Sequence, residues 1–125
     1  MKTASDRTRG GFTLVEIMIV VAIIGLLAAI GIPNVLRARE TAQYNSIGNN
    51  LRVLESAKEQ WALENKQAAT SPVTSSDLTG YLKDNTMPVA VAAETYVFST
   101  VSDPVQANFS GTMAGHTSPV TVTNF

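Results

Sequence analysis

The sequence predicts an α+β protein: a long N-terminal α-helix, membrane-spanning in its first half and amphipathic in its second, packed with a small C-terminal antiparallel β-sheet. Three observations carry this expectation. Ile17 to Ile32 is an unbroken run of 16 nonpolar residues. Beyond Pro33, Tyr44, Ile47, Leu51, Leu54 and Trp61 recur at three- or four-residue spacing, with a skip at Ala57/Lys58, which is the period of one helical face. From Glu94 the pattern changes to "ETYVFSTVS" and "VQANFSG", the first rich in β-branched and aromatic residues, with Ser102-Asp103-Pro104 between them.

The bulk numbers bound what such a chain does. Its 125 residues make one domain at most, and the apolar run leaves a modest remainder for a core. A formal charge of −1 gives no global electrostatic case for nucleic acid. The absence of cysteine excludes a disulfide framework and a cysteine metal site. The single histidine, His116, builds no histidine metal centre by itself.

The first element begins at Phe12. Phe12 to Ile32 is 21 residues, and a helix of that length spans about 31 Å, enough to cross a bilayer core. Lys2, Arg7 and Arg9 outnumber Asp6 before it, so this flank is expected on the cytoplasmic side and the C-terminal part outside. One residue does not suit lipid: a carboxylate such as that of Glu16 costs roughly 2.5–3.5 kcal/mol at a helix centre in a membrane. Three readings of the segment compete. A removable secretory signal fits the basic start and Ala29-Ile30-Gly31 but not the length of the run or Glu16. A plain anchor leaves Glu16 without a purpose. The third reading takes Gly10-Gly11, Phe12-Thr13-Leu14-Val15-Glu16 and the apolar run to Ile32-Pro33 as one motif.

Read that way, the chain resembles the type IV pilin-like superfamily: type IV pilins, competence pilins and the pseudopilins of type II secretion. The residues that carry the resemblance are Gly11, Phe12, Thr13, Leu14, Glu16 and Pro33, with "VVAIIGLLAAIGIP" between them. The resemblance implies cleavage between Gly11 and Phe12 by a prepilin peptidase, N-methylation of the new Phe12 amine, and loss of residues 1–11 as a leader. It implies a homo-oligomeric helical filament built by an inner-membrane assembly platform and its ATPase, with minor pseudopilins as further partners. The precursor is then a single-pass bacterial inner-membrane protein with a cytoplasmic N-terminus and a periplasmic C-terminus, and lipid is its first contact. After assembly it sits in a periplasmic or surface filament. Glu16 gains a role as the register residue, its carboxylate pairing with the Phe12 amine of a neighbouring subunit. Phe12 and Glu16 are expected one helical turn apart on the same face, and a mis-docked subunit would strand a buried charge at a cost of several kcal/mol. Gly11 has a matching logic, since a peptidase gripping extended backbone needs close approach.

The helix has an expected weak point at Gly25, Gly31 and Pro33. Each glycine costs about 1 kcal/mol of propensity relative to alanine, and Pro33 leaves the Ala29 carbonyl without its donor. A second segment, residues 34–66, continues as the amphipathic half, so that the whole helix is expected from about Thr13 to about Lys66. Its apolar stripe faces a core; Arg37, Arg39, Glu40, Arg52, Glu55, Lys58, Glu59 and Glu64 read as the solvated face. Gly48-Asn49-Asn50 weakens it locally. Residues 67–125 form the small C-terminal part. "QAATSPVTSS" reads as a loop, and Ser75 or Ser76 as the cap of a short helix "DLTGYL" that lays Leu78, Tyr81 and Leu82 on the stripe. The two β segments make a hairpin and "PVTVTN" adds a third strand; the Tyr96/Phe98 side is one face such a sheet could pack on the helix, but the alternation is too poor to fix which face does so.

"NNLRVLESAKEQWALENK" and "GHTSP" are similar to a group of short pseudopilin-like proteins. The major pseudopilin of type II secretion carries calcium on clustered acids, and here only Glu94 and Asp103 are acidic from residue 94 on, so neither metal nor cofactor is carried over. His116 has no partner nucleophile in view and reads as a loop histidine, so the chain is expected to be no enzyme. The function expected is that of a structural subunit: a pseudopilin of a type II secretion-like system, with a type IV pilin for adhesion, twitching or DNA uptake as one alternative and a non-assembling membrane-anchored binding module as the other.

Overall fold

A computed structural model describes residues 10–125. The chain divides after Leu36 into two compact units, residues 10–36 and Arg37–Phe125, with α1 (Leu14–Glu64) contributing to both. The bounds of α1 match the sequence expectation to within two residues. In the first unit every residue but one is exposed, and the helix is apolar on all sides from Leu14 to Leu36, apart from Glu16 and Asn34. Such a stretch has no face to bury within its own chain.

The second unit has a core. Tyr44, Ile47, Leu51 and Leu54 of α1 are buried, as the spacing predicts, together with Ala57 and Ala62. Val73, Leu78, Leu82, Val105, Ala107, Phe109 and Val120 close over them. Gly48 does not break the helix. It lies under the Phe125 ring, and a Cβ there would sit 2.5 Å from a ring carbon. α1 ends in a Schellman arrangement: Gln67 N–H donates to the Ala62 carbonyl at 2.9 Å and Lys66 N–H to the Leu63 carbonyl at 3.4 Å, with Lys66 at φ 50°.

The short helix α2 (Ser75–Leu78) runs into a 3-10 turn, Thr79–Tyr81. Its cap is Thr74, not Ser75 or Ser76 as expected. The reason is Asp77, whose carboxylate accepts the Thr74 N–H at 2.9 Å, as a residue three places into a helix does for its cap. Leu78 and Leu82 are buried and Tyr81 half-buried against α1.

The expected hairpin is β1 (Thr95–Val97) and β2 (Gln106–Asn108), antiparallel, with Tyr96 opposite Ala107. Asp103 organises its loop by accepting from Ser99 Oγ and Thr100 Oγ1, both at 2.8 Å. The third strand is β5 (Val120–Thr121), antiparallel to β2, giving the order β1-β2-β5. Tyr96 and Phe98 pack on the core, which settles the face that poor alternation left open. A second hairpin, β3 (Thr112–Met113) and β4 (His116–Thr117), has no counterpart in the sequence reading. Its turn residues Ala114 and Gly115 have φ 48° and 83°, the paired positive values of a tight type I′ hairpin.

Candidate functional site

The start of α1 is fixed by a reciprocal pair. Thr13 Oγ1 accepts the Glu16 N–H at 3.3 Å, and Glu16 Oε2 accepts the Thr13 N–H at 2.7 Å. This is a capping box, in which two helix-start donors that would lack partners are satisfied by each other's side chains. The Glu16 charge also sits at the positive end of the helix dipole. A Thr-x-x-Glu immediately before an apolar run is the sequence signal that identifies it.

Gly10, Gly11 and Phe12 precede the cap in irregular, exposed backbone, and Phe12 is 87% exposed. A Cβ built at Gly11 meets nothing within 4 Å, so the segment is open to another protein's backbone. The structure does not place Phe12 and Glu16 on one helical face. The helix begins at Leu14, and in this uncleaved chain the Phe12 nitrogen is still in a peptide bond. Gly25 and Gly31 lie in open space within α1. Pro33 is inside the helix, which continues through it unbroken. α1 carries one segment long and apolar enough to cross a membrane, and none of that segment is buried in the chain. Lys2, Arg7 and Arg9, with the rest of residues 1–9, lie outside the described residues.

In the second unit two charged residues are held inside. Lys58, expected on the solvated face, is 2% exposed. Its ammonium donates to the Asp103 carbonyl and pairs with Glu55 one turn earlier. Glu55 in turn accepts the Val105 N–H at 3.0 Å. The two side chains therefore tie the β1–β2 loop to the helix, which is why a lysine occupies the interior position in the skip of the stripe. Glu94 is 4% exposed and accepts the Ala92 N–H at 2.8 Å, the Val91 N–H at 2.9 Å and the Tyr96 hydroxyl at 2.7 Å. Burial pushes its carboxyl up, but the donors from Ala92, Tyr96 and Val91 outweigh that and hold it below the usual range. Tyr96 is pushed up, by burial first and by the adjoining carboxylate second. His116 lies on β4 rather than in a loop, exposed and stacked on Tyr44 with ring centres 4.3 Å apart.

Comparison with known proteins places these features in context. Residues 6–32 match the family described as the prokaryotic N-terminal methylation motif. The type II secretion system core protein G of Escherichia coli is 34% identical over 104 residues, covering 81% of this chain and 69% of that protein. The protein of the same name from Dickeya chrysanthemi is 34% identical over 66% of this chain and 52% of its own length. The type IV major pilin protein of Myxococcus xanthus is 46% identical over 54 residues, 43% of this chain and 24% of the pilin. No solved structure matches significantly.

Proposed function

The chain belongs to the type IV pilin-like superfamily, and on that premise we propose that it works as a pseudopilin, the polymerising subunit of a type II secretion-like system. One observation carries the choice within the superfamily. The likeness to a secretion core protein G extends over 81% of the chain and so reaches past α1, which ends at Glu64, into the part that distinguishes one filament from another. Likeness to the Myxococcus pilin covers 43%.

The mechanism proposed for this chain starts with its insertion by residues 12–33, Lys2, Arg7 and Arg9 remaining cytoplasmic. A prepilin peptidase cleaves after Gly11, a segment whose exposure and bare backbone suit entry to a proteolytic cleft. Removal of residues 1–11 turns the Phe12 nitrogen into an amine, which is methylated. The Glu16 carboxylate then pairs with that amine on a staggered neighbour. Of its two oxygens one already accepts the Thr13 N–H, and a carboxylate accepts several donors at once, so the cap and the intersubunit pair are compatible. The helix between Gly25 and Pro33 yields during extraction by the assembly platform and its ATPase, and residues 67–125 face outward on the fibre, where minor pseudopilins join it.

Deletion of the gene tests this reading. Loss of exoprotein release, with filaments seen only on overproduction of the subunit, is the expected result. Intact release together with loss of filaments sheared from the cell surface supports a type IV pilin instead, the reading favoured by the identity to the Myxococcus protein.

A further inference from the structure

Two surfaces of the Arg37–Phe125 unit are apolar and uncovered. The first is an open groove of about 420 Å³ lined by Glu59, Ala62, Leu63, Gln67, Ala69 and Val101. Leu63 is 79% exposed there. The second lies beside Val53, where residues 82–84 and 86–89 pass along α1. Val53 is 50% exposed and Val89 84%. Isolated exposed valines are ordinary, but the loop that carries Val89 is held in place. Asn50 donates to the Val89 carbonyl at 3.4 Å, and Glu94 fixes the N–H groups of Val91 and Ala92. Backbone held in this way presents the Val89 side chain to solvent in a set position, which lowers the ordering cost of a contact made through it.

Each surface has one acid and one base on it or beside it in the chain, so opposite charges can be brought together. Glu59 lines the groove and Lys66 precedes its Gln67 in the chain; Lys83 and Asp84 line the second surface. All four are exposed, and none belongs to the one ion pair found among the described residues, Lys58–Glu55. The surfaces also point differently: six residues separate Val53 from Glu59, which at 100° per residue sets them roughly 120° apart around α1. Two different patches that fit each other make a heterologous contact, and such a contact propagates as an open fibre when its rotation does not close.

We infer that the groove at Leu63 receives Val89 of a second copy of this chain, with Glu59 facing the neighbour's Lys83 and Lys66 facing its Asp84. This rests on the filament reading and assigns its lateral contact. The chain has no cysteine, so an introduced pair reports only its own proximity. The full-length chain is overproduced in membranes with Leu63→Cys, Val89→Cys or both, oxidised mildly and run without reductant. Each single variant should stay monomeric, the two co-expressed should give dimers, and the double variant should give a ladder of dimer, trimer and higher species. Glu59→Lys should weaken the ladder several-fold, and adding Lys83→Glu should restore it. Self-crosslinking of either single variant as strong as the mixed pair, or a double variant that stops at the dimer, overturns the inference. Filaments that sediment normally but carry no crosslink overturn the contact and leave the filament reading standing. Failure of the unsubstituted chain to form filaments overturns both.

Discussion

Gly48→Ala should destabilise the protein, although alanine is the better helix former. A Cβ at this position would lie 2.5 Å from Phe125 Cδ1, 2.7 Å from Cγ and 2.8 Å from Cε1, where ordinary contact begins at 3.4 Å. The ring therefore has to move by about 0.9 Å (3.4 − 2.5). It also packs against Tyr44, tilted by 31° with centres 4.3 Å apart, so moving away gives up an aromatic contact worth about 0.5–1.5 kcal/mol. Overpacking of this kind costs about 1–3 kcal/mol. Helix propensity returns about 1 kcal/mol, which leaves a net loss of about 1 kcal/mol. The assay is denaturant unfolding of the full chain in detergent, followed by Trp61 fluorescence and near-UV dichroism, which report the second unit. The same substitution in a Phe125→Ala background meets no ring and should stabilise by about 1 kcal/mol. The sign of the effect reverses between backgrounds. Stabilisation by Gly48→Ala in both would refute the packing argument.

Other outcomes follow from the same structure. Lys58→Met should cost about 3 kcal/mol, because it leaves Glu55 unpaired beside the core and the Asp103 carbonyl without its donor; Glu55→Met added to it should recover part of that in the same unfolding assay. Glu94 has a folded pKa below its unfolded value, so its contribution is present above about pH 4 and is lost as pH falls through the folded value. Glu94→Gln should accordingly be less stable at neutral pH and show a flatter loss of stability between neutral and strongly acid solution. Glu16→Gln should be cleaved after Gly11 yet form no filaments in a sedimentation assay, since an amide oxygen still caps Thr13 and only the charge is removed; normal filaments from this variant would sink the register role.

Much of the fold was legible because its signals are periodic. The stripe from Tyr44 to Leu54 marks α1 by repetition, the runs from Glu94 and the terminal "PVTVTN" mark strands by composition, and α1, β1, β2 and β5 lie where those patterns put them. What escaped was set by single contacts. Lys58 looks like a surface residue until the Asp103 carbonyl, 45 positions away, is brought over it. Gly48 looks like a weak point until Phe125 arrives. The β3–β4 hairpin turns on Ala114-Gly115, and alanine at φ 48° carries none of the Asn-Gly or Asp-Gly composition that marks such turns. Thr74, Ser75 and Ser76 are all good cap residue types, and only Asp77 at the third helical position singles out Thr74. At the N-terminal site the residue types are readable in the sequence, while the start of the helix at Leu14 follows from the Thr13–Glu16 cap.

The central claim is that this chain polymerises as a processed pilin-like subunit, and the mass of its N-terminal peptide tests it most directly. Filaments isolated after overproduction, digested and analysed by mass spectrometry, should yield an N-terminal peptide that begins at Phe12 and carries one methyl group on its amine. A peptide beginning at Met1, or at any residue after Phe12, would contradict the account.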